Sequence, residues 1–370
     1  MKVDLAAIDQ DNFLVTEHII GGEECVFVRP LPTFFGWTKD VLHFRSSIWR
    51  KAGGSLVSGS YQKFFNFEEK PAIDPFDGDI SKATLVEKLD GSTLIVSRFN
   101  GETILRTRGT VDAKLAMANG DEIDYFRTKY AHFFEGYESQ LTSNITILFE
   151  WVSPRNRIIL DYGTEPELYL TNIVNHADYS LTPQIDLDEI AEAWGFKRPK
   201  RFNFPSVKEM LTNVQALVGY EGVCMYYNND QNIRKIKATT YIRLHAFKSN
   251  LSMKNLAELL YHYNIPNSPE EFLEIIEREY DFECAEAAKP VVRDMWSILE
   301  PFIADLEVVK CFVDENKDLE QKPFALKNIE TFKHKKYLTA FAFSMRRDAF
   351  DMNDTKKAFL DLLSNEHTAE

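Results

Sequence analysis

The period of the hydrophobic pattern changes once along the chain, near Phe247. Up to that point apolar residues mostly alternate with polar ones between glycine-rich turns, which is typical of half-buried strands, and a few helical stretches interrupt them. Beyond it, apolar residues recur every three or four positions and strand patterns disappear. The sequence therefore predicts an α+β domain of antiparallel sheets with flanking helices over residues 1–247, and an all-α domain over residues 248–370.

Helical spacing locates individual helices in both parts of the chain. In the first part, helices are predicted over residues 121–140, 187–194 and 206–217. In the second part, Ser268 followed by Pro269 and Glu271 forms a capping box with proline at the first helical position. Further helices are predicted over residues 290–315, 328–347 and 355–363.

Lys88 lies in the run Glu87-Lys88-Leu89-Asp90-Gly91-Ser92. The pattern Lys-x-Asp-Gly is typical of enzymes that join a nucleotide covalently to a lysine side chain. Alone it is weak evidence, because a chain of this length contains it by chance in roughly one case in ten. A turn beside a solvated lysine is then the more common explanation. The motif becomes informative only if the other groups that this chemistry needs follow along the chain.

An attack by Lys88 on the α-phosphorus of a nucleoside triphosphate sets the requirements for those groups. The amine must be neutral, although a free lysine has a pKa of about 10.4, so burial and nearby positive charge are expected to lower its pKa. The departing pyrophosphate requires Lys, Arg and a divalent metal. The metal in turn prefers carboxylate oxygens. Further basic residues and carboxylates should therefore follow Lys88.

The residues directly after Lys88 predict a β-hairpin. Residues 92–98 alternate in polarity, Asn100-Gly101 is a favoured turn pair, and residues 102–110 form the return strand. Because Arg106 and Arg108 are two residues apart, we expect both side chains on one face of that strand. The hairpin would then present two cations close to the lysine.

Carboxylates and lysines follow in later predicted strands. Glu150 is a lone carboxylate in the apolar strand 145–152, which is expected to continue through residues 158–160; such a carboxylate is costly without a partner. After another strand over residues 165–173, Glu221 precedes a glycine and an apolar strand. Lys235 and Lys237 then share one face of a strand over residues 232–237.

Most of these features also have an ordinary structural explanation. Glu221 can be a turn acid, and Lys235 and Lys237 can form the solvated face of an edge strand. The run Lys63-Phe64-Phe65-Asn66, upstream of Lys88, can be core aromatics beside a loop. Glu150 is harder to explain in this way. The occurrence of all these features in one order favours a functional site over a coincidence of structural ones.

The ordered set Lys-x-Asp-Gly, Phe-Glu, Glu-Gly-Val and Lys-x-Lys resembles the covalent nucleotidyltransferase superfamily of ligases and capping enzymes. Within it, the chain resembles the ATP-dependent RNA ligase 1 family of T-even-type bacteriophages, which reseal broken tRNA. Residues 63–66, the stretch FEWVSPRNRI over residues 149–158, and a helical region where DNA ligases carry an OB-fold support this resemblance. It covers nearly the whole chain, and implies a nucleotidyltransferase (ATP-grasp-like ligase) fold for residues 1–247.

The resemblance implies a role for each matched residue. Lys88 would be the nucleophile that carries AMP, and Lys235 and Lys237 would neutralise the α-phosphate region. Glu150 would contact the ribose or a metal-bound water, and Glu221 would help to hold the metal, Mg²⁺ or Mn²⁺. The other implied ATP contacts are Arg45 and Lys63 on the outgoing phosphates, Phe65 beside them, Arg108 where the family usually has lysine, Glu87 at the adenine amine, and Leu170 and Cys224 around the adenine.

Charge and cysteine usage restrict the environment of the chain. The formal net charge is -14, so RNA binding requires localised basic residues, and tight non-specific binding is not expected. The four isolated cysteines are expected to be reduced thiols of a cytosolic protein. No apolar run reaches transmembrane length. We expect a monomer without membrane association in the cytoplasm, which for a phage-encoded protein is the cytoplasm of the bacterial host.

A basic cluster in the predicted helical domain is a candidate RNA contact. It contains Lys333-His334-Lys335-Lys336, with Arg346-Arg347 three turns later. A solvated helix face is the more common explanation, whereas the resemblance favours contacts to tRNA phosphates. The candidate RNA residues are Lys333, Lys335, Lys336, Arg346 and Arg347. The implied partner is RNA with 5′-phosphate and 3′-hydroxyl ends, as at anticodon-loop breaks in tRNA.

The ordered residues and the resemblance together predict an ATP-dependent RNA ligase that acts through lysyl-AMP and an adenylated RNA 5′ end. Repair of cleaved tRNA is implied by the resemblance alone. A DNA ligase or a capping-type nucleotidyltransferase is the nearest alternative. A non-catalytic RNA-binding protein on a ligase scaffold is an alternative of another class. The sequence has no phosphate-binding Gly-x-x-x-x-Gly-Lys-Ser/Thr loop, no Gly-x-Gly-x-x-Gly, no Cys-x-x-Cys and no His-Glu-x-x-His, so neither those nucleotide-binding folds nor a zinc site is indicated.

Overall fold

The structure of the protein is a computed structural model that describes residues 1–116, 121–155, 157–280 and 282–366. Its Cα positions divide into two compact units, Met1–Ile242 and Arg243–Glu370. The boundary predicted after residue 247 lies inside the helix Thr239–Ser249. Asn156, in the middle of the FEWVSPRNRI stretch, lies outside the described residues.

The first unit contains the strands. In chain order they are β1 (Phe13–Ile20), β2 (Glu23–Pro30), β3 (Ser47–Arg50), β4 (Leu56–Ser58), β5 (Phe65–Asn66), β6 (Thr84–Lys88), β7 (Ser92–Phe99), β8 (Glu102–Arg106), β9 (Ile145–Val152), β10 (Glu167–Asn175), β11 (Arg201–Phe202), β12 (Gly222–Tyr227) and β13 (Asn232–Lys237). They form three sheets, ordered β1-β2-β3-β4, β10-β9-β7-β8 and β11-β6-β12-β13-β5. All neighbours are antiparallel except β13 and β5, so the antiparallel α+β class predicted from the sequence is confirmed.

Helices flank these sheets. In the first unit they are α1 (Ala113–Ala116), α2 (Asp121–Lys129), α3 (Ala131–Glu138), α4 (Gln184–Trp194) and α5 (Val207–Gln215), with short 3-10 helices at Leu5–Ala7, Lys39–Arg45 and Ile80–Lys82. The predictions for residues 187–194 and 206–217 are confirmed by α4 and α5. The single helix predicted over residues 121–140 is instead two helices that meet at Tyr130.

Aromatic packing explains why the helical spacing of residues 121–140 was informative. The ring of Phe126 lies 5.4 Å from that of Trp151 on β9, and the ring of Phe133 lies 6.0 Å from that of Phe149 on the same strand. Tyr130, where the two helices meet, packs its ring 4.4 Å from that of Phe196 and donates its hydroxyl to Glu167 at 3.1 Å. These contacts hold the helices against the second sheet.

The hairpin predicted behind Lys88 is confirmed. Strands β7 and β8 pair antiparallel from Ile95 opposite Arg106 to Phe99 opposite Glu102. Both turn residues have positive φ, 47° at Asn100 and 82° at Gly101, as a tight hairpin turn requires. The strand predicted to continue through residues 158–160 does not form, because the chain leaves the sheet after Val152.

The second unit consists of helices in the residues described. After α6 (Thr239–Ser249), which begins in the first unit, they are α7 (Met253–His262), α8 (Pro269–Glu279), α9 (Phe282–Glu315), α10 (Gln321–Thr331), α11 (Lys336–Arg346) and α12 (Met352–Glu366). The N-cap of the predicted capping box is confirmed, since the Ser268 side chain accepts from Glu271 N–H. The Glu271 carboxylate accepts from the backbone N–H of Asn267, one residue before the position that the box requires. Among these helices none combines the length and hydrophobicity needed to cross a membrane.

Two predicted helix bounds in the second unit were wrong. The helix predicted to start at Pro290 starts at Phe282, and the proline lies in its interior; a proline removes one backbone hydrogen bond but does not always end a helix. The helix predicted over residues 328–347 is divided between α10 and α11. The connection between them contains part of the predicted RNA-binding cluster.

Candidate active site

A cleft of about 660 Å³ in the first unit is lined by residues of the second and third sheets. Eight of the residues predicted for the site line it: Arg45, Glu87, Lys88, Arg108, Glu150, Cys224, Lys235 and Lys237. A larger cavity of about 1200 Å³ lies in the second unit and contains none of these eight. The cleft is therefore the candidate active site, and the larger cavity is not.

Lys88 is held by an ion pair in this cleft. The strand register places Gly222 of β12 opposite both Lys88 of β6 and Lys237 of β13. The preceding Glu221 is 3% exposed. Its Oε2 accepts a hydrogen bond from Lys88 Nζ at 2.7 Å, and its Oε1 lies 2.9 Å from Lys237 Nζ. One buried carboxylate thus bridges the predicted nucleophile and a predicted α-phosphate lysine.

Backbone geometry explains the glycine after Glu221. Gly222 has a φ of 149°, and a Cβ at this position would lie 2.0 Å from the carbonyl oxygen of Ile236 on β13. Any side chain would push β12 away from β13 and move Glu221 relative to Lys88. The Glu-Gly pair of the predicted motif therefore has a direct structural reason.

The pKa of Lys88 is shifted in the direction opposite to the sequence prediction. Burial alone lowers the pKa of the amine, but the carboxylates around it, Glu221 more than Glu150, outweigh burial and raise the pKa above its ordinary value. The prediction of a lowered pKa was wrong because it counted positive neighbours, whereas the nearest charge is a carboxylate. The amine is protonated in this arrangement, and it must leave the Glu221 ion pair before it can act as a nucleophile.

Glu150 of β9 also faces the cleft. Its Oε1 accepts from Gly91 N–H, directly after the Lys88 loop, at 3.2 Å. Burial, more than the charges nearby, raises the pKa of Glu150 to about 7. A Cβ on Gly91 would lie 2.4 Å from the carbonyl oxygen of Trp151, so this close approach requires glycine. Glu150 and the Lys88 loop are therefore coupled through one glycine.

Three positive side chains and one aromatic ring lie at one end of the cleft. We call it the anion end and define it by Arg45, Phe64, Arg108 and Lys235. The ring of Phe64 lies 4.8 Å from the Arg45 guanidinium and 5.8 Å from Lys235 Nζ. Burial and then repulsion from Arg108 lower the pKa of Arg45 to about 9. Burial and then repulsion from neighbouring cations lower the pKa of Lys235 to about 8. Such mutual repulsion is relieved by a bound anion.

Two further predicted residues line the cleft. Cys224 of β12 lies opposite Lys235 of β13, and burial raises the pKa of its thiol to about 11, which makes this side chain a neutral contact. Burial also raises the pKa of Glu87, whose backbone N–H donates to the carbonyl oxygen of Lys200 at 2.7 Å. Pro199 lines the cleft as well. These groups can contact an uncharged ring.

Asp90, the acidic residue of the Lys-x-Asp-Gly motif, fixes the loop that follows Lys88. It is 3% exposed, and its Oδ2 accepts from the backbone N–H groups of Ile159 and Leu160 at 2.7 and 2.9 Å. Its Oδ1 accepts from the Tyr241 hydroxyl at 2.6 Å, and its own N–H donates to Tyr162 Oη at 2.8 Å. Sequence reasoning missed both tyrosines, because no local pattern relates residues 70 to 150 positions apart.

Asp90→Asn is expected to destabilise the first unit and to slow any reaction of Lys88. An amide offers one acceptor oxygen where the carboxylate offers two, so either the two N–H groups or Tyr241 loses its partner. A cost of about 2 kcal/mol follows, or roughly 5 °C in melting temperature. Calorimetry of the variant measures it, with Tyr241→Phe as the comparison that removes one of these bonds alone. An unchanged melting temperature for Asp90→Asn would contradict this role.

Three predicted ATP contacts do not line the cleft. Phe65 and Leu170 are fully buried, and Lys63 faces a smaller neighbouring cavity with its Nζ 5.3 Å from the ring of Phe65. Their sequence neighbours Phe64 and Thr171 line the cleft instead. For Leu170 the reason is an irregularity in β10, where the pairing with β9 shifts between Leu170 and Asn172 and the alternation of faces is interrupted.

The prediction that Arg106 and Arg108 lie on the same strand face was wrong. Strand β8 ends at Arg106, which is fully buried, while Arg108 is exposed in the turn that follows and lines the cleft. The two-residue spacing that places side chains on one face applies only while the strand continues. Other cleft residues that the sequence did not single out are Tyr61, Tyr226, Thr107 and Arg155.

The predicted RNA contacts of the second unit form two separate groups. Lys333 and Lys335 lie between α10 and α11, and Lys336 begins α11, whereas Arg346 ends that helix and Arg347 follows it. Eleven residues of helix separate the groups by about 16 Å. Lys335 pairs with Asp305 at 2.5 Å, and the Arg346 guanidinium lies 4.1 Å from the ring of Phe324. The five residues do not converge on one point.

The fit of the site to a divalent cation depends on two carboxylates. Within the described ranges, no group of three or more His, Cys, Asp or Glu side chains is arranged to hold a metal. Glu150 and Glu221 both interact electrostatically with Lys88. Mg²⁺ is commonly held by one or two carboxylates, with water and substrate phosphates as its other ligands. The two carboxylates fit a cation that arrives with a phosphate ligand.

Curated relatives resemble part of this chain. A protein of Autographa californica nuclear polyhedrosis virus, provisionally named a bifunctional polynucleotide kinase/RNA ligase, is 27% identical over 231 residues, which cover 56% of this chain and 31% of the relative. A provisionally named RNA ligase of Thermovibrio ammonificans is 27% identical over 197 residues, which cover 52% of this chain and 50% of the relative. The chain thus matches half or less of the length of these relatives.

The solved structures that resemble this chain have lower sequence identity to it than these relatives. An archaeal ATP-dependent RNA ligase aligns with a TM-score of 0.45 and 13% identity, over 78% of this chain and 76% of that one. An RNA ligase of Naegleria gruberi aligns with a TM-score of 0.38 and 15% identity, over 44% of this chain and 51% of that one. A sequence model of the family described as RNA ligase matches residues 44–255, which include every residue of the cleft named above. The chain belongs to the RNA ligase family.

Proposed function

We propose that the protein is an ATP-dependent RNA ligase that acts through a covalent adenylate on Lys88. The observation that carries the proposal is the position of Lys88 Nζ, 2.7 Å from the buried Glu221 carboxylate, in a cleft whose anion end contains Arg45, Arg108 and Lys235. A lysine, a carboxylate and several cations in one partly enclosed cleft meet the requirements of nucleotidyl transfer to lysine.

The proposed reaction has three displacements at phosphorus. In the first, the neutral Lys88 amine attacks the α-phosphorus of ATP, a P–N bond forms, and pyrophosphate leaves. In the second, an oxygen of the RNA 5′-phosphate attacks the same phosphorus and the P–N bond breaks. In the third, the RNA 3′-hydroxyl attacks the adenylated 5′ end, a phosphodiester forms, and AMP leaves. Each step develops charge on phosphate oxygens, which positioned cations stabilise.

Each part of the cleft would have its own role in these three steps. The anion end would bind the β- and γ-phosphates, and Lys237 would act at the α-phosphate beside Lys88. Glu87 and Cys224 would contact the adenine, with Thr171 in place of the predicted Leu170. Glu150 and Glu221 would hold Mg²⁺ or Mn²⁺, which when bound supplies neutralising charge to the phosphates. Lys63, in the neighbouring cavity, would add to the positive field at the anion end.

A labelling experiment tests the proposal. The protein is incubated with a divalent metal and either α-labelled or γ-labelled ATP, and then denatured and separated by electrophoresis. Label from the α-position alone, released by added pyrophosphate, is the expected result. Labelling by GTP in place of ATP would favour a capping-type enzyme, and joining of DNA but not RNA ends would favour a DNA ligase. Absence of label with either nucleotide would favour the non-catalytic alternative.

We further propose that the second unit recognises cleaved tRNA. Lys336 and Arg347 are exposed and, in the described part of the chain, form no ion pair, whereas Lys333 and Lys335 pair with Glu330 and Asp305. None of the described cysteines forms a disulfide, which is compatible with the proposed cytoplasm of a bacterial host, where a phage-encoded monomer would act. The RNA substrate would carry 5′-phosphate and 3′-hydroxyl ends.

Removal of the residues after Ser249 is expected to separate adenylation from tRNA sealing. The cleft lies wholly in the first unit, so label uptake should stay within about threefold of the full chain. Sealing of a tRNA broken in the anticodon loop should fall by about tenfold or more, because contacts in the second unit are lost. Both are measured on the same preparation. Full tRNA sealing by the shortened chain would contradict the role of the second unit.

A further inference from the structure

Arg106 is a buried cation without an anionic partner. It is 0% exposed, and in the described part of the chain it forms no ion pair with a carboxylate. Its guanidinium instead donates to six neutral acceptors: Ser58 Oγ at 2.9 Å, Ser46 Oγ at 2.7 Å, and the carbonyl oxygens of Thr107 at 3.4 Å, Ser46 at 3.2 Å, Ser58 at 3.2 Å and Gly59 at 3.0 Å. Each of the three guanidinium nitrogens donates at least one of these hydrogen bonds.

This arrangement is energetically unusual for a residue with only a packing role. Transfer of a charge into a protein interior costs several kcal/mol, and apolar residues of similar volume often replace buried ionic groups without loss of stability. The cost appears in the pKa of Arg106, which burial lowers to about 9. The neutral acceptors satisfy its hydrogen bonds but do not cancel its charge. Its field therefore persists in the surrounding protein.

The three segments that Arg106 joins lead directly into the anion end. Ser46 follows Arg45, the last residue of a 3-10 helix. Ser58 ends β4, and Gly59 follows it, two residues before Tyr61 and five before Phe64. Arg106 itself ends β8, two residues before Arg108. The segments of Ser46 and Ser58 also meet in the pairing of β3 with β4, where Ile48 lies opposite Ser58; the guanidinium of Arg106 joins the end of β8 to both of them.

We propose that Arg106 is a positioning residue that aligns the anion end for the outgoing pyrophosphate, and that its uncancelled charge adds to the attraction for that anion. The inference rests on the proposed function for the identity of the anion. Arg106 touches no substrate; it acts through Arg45 and Arg108. None of the six hydrogen bonds of Arg106 reaches Glu87 or Cys224, the proposed adenine contacts, so Arg106 should affect the binding of phosphates more than that of the nucleoside.

Arg106→Lys tests the proposal, because lysine retains a charge but not the planar fork. Inorganic pyrophosphate and adenosine are titrated separately into the full chain by calorimetry, which requires no catalysis. The Kd for pyrophosphate is expected to rise about tenfold, while that for adenosine stays within about twofold. Ser46→Ala, which removes one acceptor hydroxyl, should shift the pyrophosphate Kd in the same direction by a smaller factor, and it keeps the test open if Arg106→Lys folds poorly.

A matched control is Arg127→Lys, at an arginine that pairs with Glu138 away from the cleft and should change neither Kd. Equal weakening of pyrophosphate and adenosine would overturn the proposal and assign Arg106 to general stability. An unchanged pyrophosphate Kd in both test variants, or no pyrophosphate binding by the unmodified chain, would also overturn it. Failure of the proposed function is a separate result, since it would leave pyrophosphate binding intact with no label taken up from ATP.

Discussion

Lys88→Ala is expected to take up no label from α-labelled ATP, a loss of at least about 10⁴-fold in the rate of adenylation. The reason is chemical: Lys88 supplies the amine of the Lys-x-Asp-Gly motif beside Glu221, and alanine supplies no nucleophile. The measurement is a denaturing gel of the protein after incubation with ATP and a divalent metal, read beside the unmodified chain.

Lys88→Arg keeps the positive charge of Lys88 but removes its nucleophilic amine. Arginine can keep an ion pair with Glu221, but its guanidinium does not lose a proton in proteins, so it should also take up no label. Lys82→Ala is the matched control, because Lys82 is an exposed lysine paired with Asp77 and Asp79, six residues before Lys88. Label on the Lys88→Ala protein would show that another residue carries the nucleotide and would refute the assignment.

The site was predictable where its chemistry depends on strand register. Lys88, Glu221 and Lys237 meet because three neighbouring strands place Gly222 opposite both lysines, and the sequence marked each strand by its apolar alternation. Alternation is a local property, because polar and apolar residues that alternate in the sequence lie on opposite faces of the strand in the structure. The same property failed at Arg106, where the strand ends. The resemblance failed at Leu170, where a shift in the pairing of β10 with β9 interrupts the alternation of faces.

Interactions between distant segments were not predictable in the same way. Asp90 depends on Tyr162 and Tyr241, and Arg106 depends on Ser46 and Ser58; both networks are defined only after the chain has folded. The protonation of Lys88 belongs to this class as well. The sequence supplied both cations and carboxylates, but only the 2.7 Å contact decides that a carboxylate has the larger effect on its pKa.

Glu221→Gln is expected to slow adenylation by about 100-fold at neutral pH while it moves the pH dependence of the reaction to lower values. The loss follows from the removal of a proposed metal ligand and of the partner of Lys237. The shift follows from Lys88: among its charged neighbours Glu221 raises the pKa of the amine most, so glutamine lets that pKa fall. Because only the neutral amine attacks, the rate rises with pH up to the pKa of Lys88, and this rise should begin at lower pH in the variant.

Single-turnover rates of label uptake at a series of pH values, with saturating ATP and metal, measure both effects. The variant's defect should be smallest at low pH, where Lys88 of the unmodified chain is almost wholly protonated, and largest at high pH, where that restraint has disappeared and only the lost metal contact remains. Glu68→Gln, at an exposed acid of the same unit, should leave the profile unchanged. A variant profile that is uniformly lower but not displaced would mean that Glu221 does not control the protonation of Lys88 during the reaction. A displaced profile without a loss of rate at high pH would instead remove Glu221 from the metal site.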